Sequence, residues 1–169
     1  MTVEEAIVTS LEHEKKVRDH YVWAAGEGED PKGKAFFETL AREEQGHVDY
    51  LESRLEKLRG SGALDSPPIG TVLPSAELVA KGARMLEASA QARDYRGDTR
   101  RLYTALRLEE EVSAFYRGLA EGLTDPAAKA MFARFLEIED GHTAIVQAEV
   151  DFVTRTGYFF DFQEFNLEE

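Results

Sequence analysis

The sequence predicts an all-α fold, a bundle of four long helices built as two copies of one helical hairpin. Three observations carry this. Apolar residues step by three and four through most of the chain, β-branched alternating runs are scarce, and the two halves match at a fixed offset.

The first helix is expected over about 3–26, with Ile7, Leu11, Glu14, Val17 and Tyr21 along one stripe. The breaker-rich "GEGEDPKGKA" ends it, and Pro31 suits the first turn of a second helix over about 31–59, whose stripe runs Phe37, Leu40, Glu44, His47, Leu51, Leu55, Leu58. "RGSGALDSPPIG" then opens a long crossover, 60–96, holding a shorter helical pattern, "SAELVAKGARMLEASA". The third long helix is expected over about 97–122, with Leu102, Ala105, Glu109, Val112 and Tyr116 on one face. "GLTDPAAKA" makes a second short turn into a fourth helix over about 125–156, with Phe132, Phe135, Glu139, His142 and Val146 in line. The tail, 157–169, concentrates Tyr158, Phe159, Phe160, Phe162 and Phe165, and such a stretch packs over its own bundle or a dimer mate. The whole is read as a single domain, 1–169.

Two short-linked hairpins joined by one long crossover fit either a ferritin-like four-helix bundle or an irregular helical domain with an extra helix. Self-comparison decides between them. A shift of 95 residues sets 14–47 on 109–142 without a gap and gives twelve identities: Glu14/Glu109, Val17/Val112, Tyr21/Tyr116, Ala25/Ala120, Asp30/Asp125, Pro31/Pro126, Lys34/Lys129, Ala35/Ala130, Phe37/Phe132, Glu44/Glu139, Gly46/Gly141 and His47/His142.

Composition removes several function classes. With Lys+Arg 20 against Asp+Glu 33 and a formal charge of -13, the chain as a whole repels a phosphate backbone or an anionic membrane surface, so neither nucleic acid nor membrane is expected as a partner. No cysteine is present, so any metal must be held by oxygen and imidazole nitrogen. The acidic N-terminal segment lacks the pattern of a signal peptide, and a soluble, cytoplasmic protein is expected.

The repeated stripes then pose an electrostatic problem. Each helix points one glutamate, Glu14, Glu44, Glu109 or Glu139, into the apolar interior near its midpoint, and no arginine or lysine is expected on these stripes. A single desolvated charge costs several kcal/mol, and like charges nearby add to that. Two divalent metals balance four carboxylates, and His47 and His142 complete the donor set as neutral imidazoles. One Glu from each of two helices plus Glu-x-x-His from each of the other two is the ligand set of dimetal carboxylate bundles. Glu12, Glu43, Glu110 and Glu111 point elsewhere on the helical wheel and are read as solvated; His13 and His20 are read as surface or partly buried. Asp49 and Asp140 stand either as partners orienting a histidine ring or on the surface. Glu149 continues the fourth-helix stripe, where the bundle could open to solvent or a partner.

The doubled motif, Glu-x-x-Val-x-x-x-Tyr followed by Glu-x-Gly-His, resembles the rubrerythrin-like branch of the ferritin-like superfamily over about residues 3–156. The resemblance implies that Glu14 and Glu109 are terminal or bridging ligands, that Glu44 and Glu139 bridge, and that His47 and His142 bind one metal each. It also implies that Tyr21 and Tyr116 hydrogen-bond ligand carboxylates. The implied cofactor is two iron ions, with manganese or a mixed pair suited to the same donors. The implied activity is reduction of peroxide or dioxygen in oxidative-stress defence, by a homodimer served by a separate electron-donor protein. Two departures bear on this: no cysteine provides an iron–sulfur domain, and Val112 stands where typical rubrerythrins carry an extra glutamate. Ferroxidase or iron-storage chemistry, hydroxylation of an organic substrate by a di-iron site, and a metal-free helical interaction module are the alternatives.

Overall fold

The computed structural model describes residues 1–86 and 96–160. Five helices follow in order: α1 (Val3–Glu27), α2 (Pro31–Ser61), α3 (Ala76–Leu86), α4 (Arg96–Gly122) and α5 (Pro126–Thr156). The described residues contain no strand. This is the all-helical architecture expected, with four long helices and one short helix in the crossover. The remainder of the short helical pattern in the crossover, and Phe162 and Phe165 of the tail, lie outside the described residues.

Local chemistry sets the helix ends. Thr2 and Glu5 form a reciprocal capping box, Thr2 accepting from the Glu5 amide at 3.1 Å while the Glu5 carboxylate accepts from the Thr2 amide at 2.7 Å. The two hairpin turns use one device twice. Asp30 accepts from the Lys32 and Gly33 amides, Asp125 accepts from the Ala128 amide at 2.8 Å, and a proline follows each aspartate as the first helical residue. α2 and α5 each end on a left-handed glycine, Gly62 (φ 72) and Gly157 (φ 74), a conformation in which a Cβ would clash.

α1 packs on α2 and α4 on α5, while α1 also meets α4, and α3 lies on α5. Side-chain contacts give the directions. Lys15 meets Glu52 and Glu4 meets Arg59, so α1 and α2 are antiparallel. Tyr21 reaches Glu109 and Tyr116 reaches Glu14, so α1 and α4 are antiparallel as well. The crossover therefore starts α4 parallel to α2, which places all four midpoints at one level.

The core is aromatic on both sides of that level: Tyr21 lies against Phe37, and Tyr116 stacks on Phe132 and Phe135. The start of the tail closes the end of the bundle. Phe159 packs on Phe36 and Phe37, Phe160 on Phe36 and Phe152, and the Phe160 amide donates to Glu149 at 3.0 Å. Glu149, the residue at which the stripe could have opened to solvent or a partner, is fully buried under this cover. Gly33 makes the docking geometrically feasible, because a Cβ there would stand 2.7 Å from the Phe159 ring. No helix among the described residues is long and apolar enough to cross a membrane.

One expectation fails on α2. Arg54, not Leu55, is the buried residue there, with Leu55 and Leu58 only partly covered, so a cation does lie on an inward face. It does not serve the glutamates. Its guanidinium donates to the Asp65 carbonyl at 2.8 Å and lies 5.3 Å above the Tyr50 ring, which ties the crossover to α2. Glu43 does similar work, accepting from the Thr71 hydroxyl and the Val72 amide.

Candidate metal centre

Helical spacing brings the repeated residues to the bundle's midpoint. Glu44 and His47 stand one turn apart on α2, Glu139 and His142 one turn apart on α5, and each pair projects its ligand atoms inward. One donor atom from each of these four residues lies within 4.8 Å of the others, and all four are buried. Each imidazole meets the carboxylate of the opposite hairpin. His47 Nδ1 is 3.0 Å from Glu139, and His142 Nδ1 is 2.8 Å from Glu44. The two rings stack 5.3 Å apart with an interplanar angle of 2°.

Glu14 and Glu109 flank this group, both with no exposed surface. Glu14 Oε2 lies 3.1 Å from His47 Nδ1. The two tyrosines hold these flanking carboxylates across the bundle: Tyr21 of α1 donates to Glu109 of α4, and Tyr116 of α4 donates to Glu14 of α1. Each hairpin thus positions the other's outer glutamate. Sequence spacing, which shows only that each tyrosine stands two turns past its own helix's glutamate, does not reveal the exchange.

The neighbours sort by helical face. Glu12 and Glu110 are exposed, and Glu111 pairs with Lys16 and Arg107 at the surface. Asp49 accepts from Gln45, and Asp140 pairs with Arg117, so neither orients a metal-site histidine. His13 stacks on Phe115, and His20 bonds the Arg101 carbonyl; both are partly buried and outside the cluster. Val112 is buried, an apolar residue one turn from Glu109.

Burial raises the Glu14 and Glu109 carboxyls well above the ordinary carboxylate range, reinforced by the charges of Glu139 and Glu44. Burial pushes Glu44 and Glu139 the same way, but there the two imidazoles win and hold both below it. The histidines respond in kind. Burial lowers their proton affinity, the surrounding carboxylates overcome it, and both end well above the usual imidazole value. In the metal-free cluster the proton affinities therefore diverge: Glu44 and Glu139 favour the carboxylate, His47 and His142 favour the imidazolium, and Glu14 and Glu109 hold a proton more tightly than an ordinary carboxyl.

That arrangement leaves hydrogen-bonding capacity unused. Apart from the imidazole–carboxylate contacts, both oxygens of Glu44 and of Glu139, one oxygen of Glu109, and three of the four ring nitrogens of the two histidines are buried without a partner. Orphaned buried polar atoms are rare and costly, about 1–3 kcal/mol each. A convergent set of carboxylate oxygens and imidazole nitrogens, with no other partners, suits metal ions of the type held by mixed oxygen and nitrogen donors. The cluster can bind metal ions, and with Glu14 and Glu109 beside it the arrangement is compatible with a dimetal site.

Comparison with known proteins supports this geometry. Residues 9–152 match the ferritin-like domain family, an interval that contains all four long-helix midpoints and every member of the cluster. No curated protein and no solved structure matches the chain. On the evidence of that match and of its paired helical hairpins, the chain belongs to the ferritin-like domain family.

Proposed function

We propose that the protein is a dimetal carboxylate oxidoreductase, with iron as the metal, that reduces peroxide or dioxygen in the manner of rubrerythrin-like proteins. The observation that carries this is the buried group of Glu44, His47, Glu139 and His142, flanked by Glu14 and Glu109 at the one level where all four helices meet. Glu44 and Glu139, central and carrying unused oxygens, would be shared between two metals; Glu14 with His47, and Glu109 with His142, would complete the two ends. When bound, a pair of iron ions supplies two electrons, one from each ion, to an O–O group.

The chain's own residues then do four things. The carboxylates match the metal charge, so the centre stays neutral in a dry interior. Tyr21 and Tyr116 fix the outer carboxylates from the opposite hairpin and so set their orientation. The aromatic layers of Phe37, Phe132 and Phe135 exclude water from the cluster. His47 and His142, whose proton affinity the neighbouring carboxylates raise, give up their protons as they become ligands.

The test is an anaerobic ferrous titration that counts equivalents bound tightly per chain, followed by reoxidation with peroxide and with dioxygen. Two equivalents, and faster loss of the ferrous state with one of the oxidants, are expected. Glu44→Ala and Glu139→Ala should each abolish both binding and oxidation; retention of both activities in either variant would refute the assignment. The same donor set serves ferroxidase chemistry, and uptake of many irons per chain into a mineral would move the function to storage.

A further inference from the structure

The crossover is tied down through its own backbone, and the tie leaves a space beside the cluster. Arg54 donates to the Asp65 carbonyl, Tyr50 to the Pro67 carbonyl at 2.7 Å and Arg134 to the Ile69 carbonyl at 3.2 Å, so side chains of α2 and α5 hold alternate carbonyls of one short stretch. Against that stretch lies a cavity of about 220 Å³, lined by Pro67, Pro68 and Ile69 on the crossover side and by Tyr50, Ala130 and Met131 on the helix side. Pro67, Pro68 and Ala130 are exposed, so the cavity opens to solvent. On its inner side one ring separates it from the cluster. The Phe135 centroid lies 5.7 Å from that of Tyr50 and 5.3 Å from that of His47, and Phe135 has no exposed surface.

The lining decides what the cavity can take. Its two largest polar side chains are already engaged, the Tyr50 hydroxyl by Pro67 and the Arg134 guanidinium by Ile69 and, at 2.9 Å, by the Glu137 carboxylate. Ser66 adds one hydroxyl, and the rest is apolar. A molecule that must hydrogen-bond, such as peroxide, would leave its water partners and find few replacements there. Dioxygen, small and apolar, loses nothing by entering. The equivalent place in the other hairpin is filled. The 95-residue shift puts Ala35, Phe36 and Ile145 against Ala130, Met131 and Tyr50, and Phe36 packs under Phe159 and Phe160 of the tail.

We propose that this cavity admits dioxygen to the centre at its His47 end, with Phe135 as the gate. Its ring meets both Tyr50 and His47 edge-on, and a swing of that one side chain joins the cavity to the cluster. This use of the cavity rests on the redox function proposed above and narrows its oxidant to dioxygen.

The experiment has two arms. In the first, xenon, an atom that enters apolar cavities, is applied under pressure to the metal-free full-length protein and followed by NMR. Xenon should shift the methyl resonances of Ala130 and Met131 and the ring resonances of Phe135, and Ala130→Trp, which sets an indole at the cavity, should abolish those shifts. In the second, ferrous protein is mixed with dioxygen or with peroxide. Ala130→Trp should slow oxidation by dioxygen about tenfold while binding as many ferrous ions as the parent, so that the loss is one of access. Phe135→Leu, which copies Leu40 of the first hairpin, should speed it. Absence of xenon shifts in the parent, shifts that stop at Met131 without reaching Phe135, or oxidation by dioxygen at the parent rate in a variant that no longer takes xenon would overturn the route. Iron that peroxide oxidises and dioxygen does not would overturn dioxygen as the molecule admitted. Iron that neither oxidises would sink the redox reading instead, and the xenon shifts would still decide whether the cavity reaches the cluster.

Discussion

Loading the metal-free cluster with two divalent ions should expel protons, because four of its six groups hold a proton more tightly than usual. The surrounding carboxylates raise the proton affinity of His47 and His142, and burial raises that of Glu14 and Glu109. Every proton these four groups hold, four at most, must leave before six ligands can bind, since metals take neutral imidazole and ionised carboxylate. Once loaded, two divalent ions stand against four carboxylates and the centre is neutral. Each released proton makes pair binding about 1.4 kcal/mol more favourable per pH unit, so binding should strengthen steeply between pH 6 and 8. The assay is isothermal titration with zinc, a redox-silent divalent ion, in buffers of different ionisation enthalpy, which reports protons released directly. A count of two would mean that Glu14 and Glu109 are already ionised, held by Tyr116 and Tyr21. A count of zero would refute the electrostatic account of the empty core.

The same groups set the pH dependence of stability without metal. For His47 and His142 the folded value lies above the unfolded one near 6.5, so their contribution is complete below 6.5 and lost as pH rises. The metal-free protein should therefore melt at lower temperature at pH 9 than at pH 7, and metal should remove the difference; equal melting temperatures in the empty protein would contradict the assignment. Tyr21→Phe and Tyr116→Phe each leave an outer carboxylate oxygen without its donor, and each should weaken metal binding by roughly 10–100-fold in a competitive chelator titration. Gly33→Ala drives a Cβ into the Phe159 ring and should cost about 1–3 kcal/mol by chemical denaturation. Gly46→Ala, where a Cβ meets nothing within 4 Å, should instead stabilise α2 by roughly 0.5–1 kcal/mol.

The sequence carried the bundle and the midpoint because both are periodic. Glu14, Glu44, His47, Glu109, Glu139 and His142 fall on apolar stripes at three and four spacing, and a helix brings such residues to one face whatever surrounds them. Tertiary pairings were not legible in the same way. That Tyr21 serves Glu109 and not Glu14 depends on the antiparallel register of α1 and α4, which no local pattern encodes. Arg54 escaped because an arginine on an amphipathic helix reads as solvated, whereas Asp65 and Tyr50 supply partners from the crossover and the preceding turn. Glu149 carried the right period, and the Phe160 amide that satisfies it comes from a tail whose path has no periodic signal.

Comparing the two copies position by position separates what the centre constrains from what it does not. At the cluster, no residue changes without cost: removing a carboxylate leaves two divalent ions short of a negative charge, and removing an imidazole takes a donor from one metal and a partner from the carboxylate it faces. Glu14, Tyr21, Glu44 and His47 are accordingly the same residues as Glu109, Tyr116, Glu139 and His142. One layer out, charge neutrality no longer binds and the copies part. Gly33 faces Phe159 where Ala128 stands in the other hairpin, Trp23 answers to Gly118, and Arg54 answers to Glu149, each fitted to the crossover, the tail or the solvent on its own side. A symmetric centre thus sits in an asymmetric shell. Any function that distinguishes the two hairpins, such as closure by the tail, has to reside in the shell, because the centre itself treats both hairpins alike.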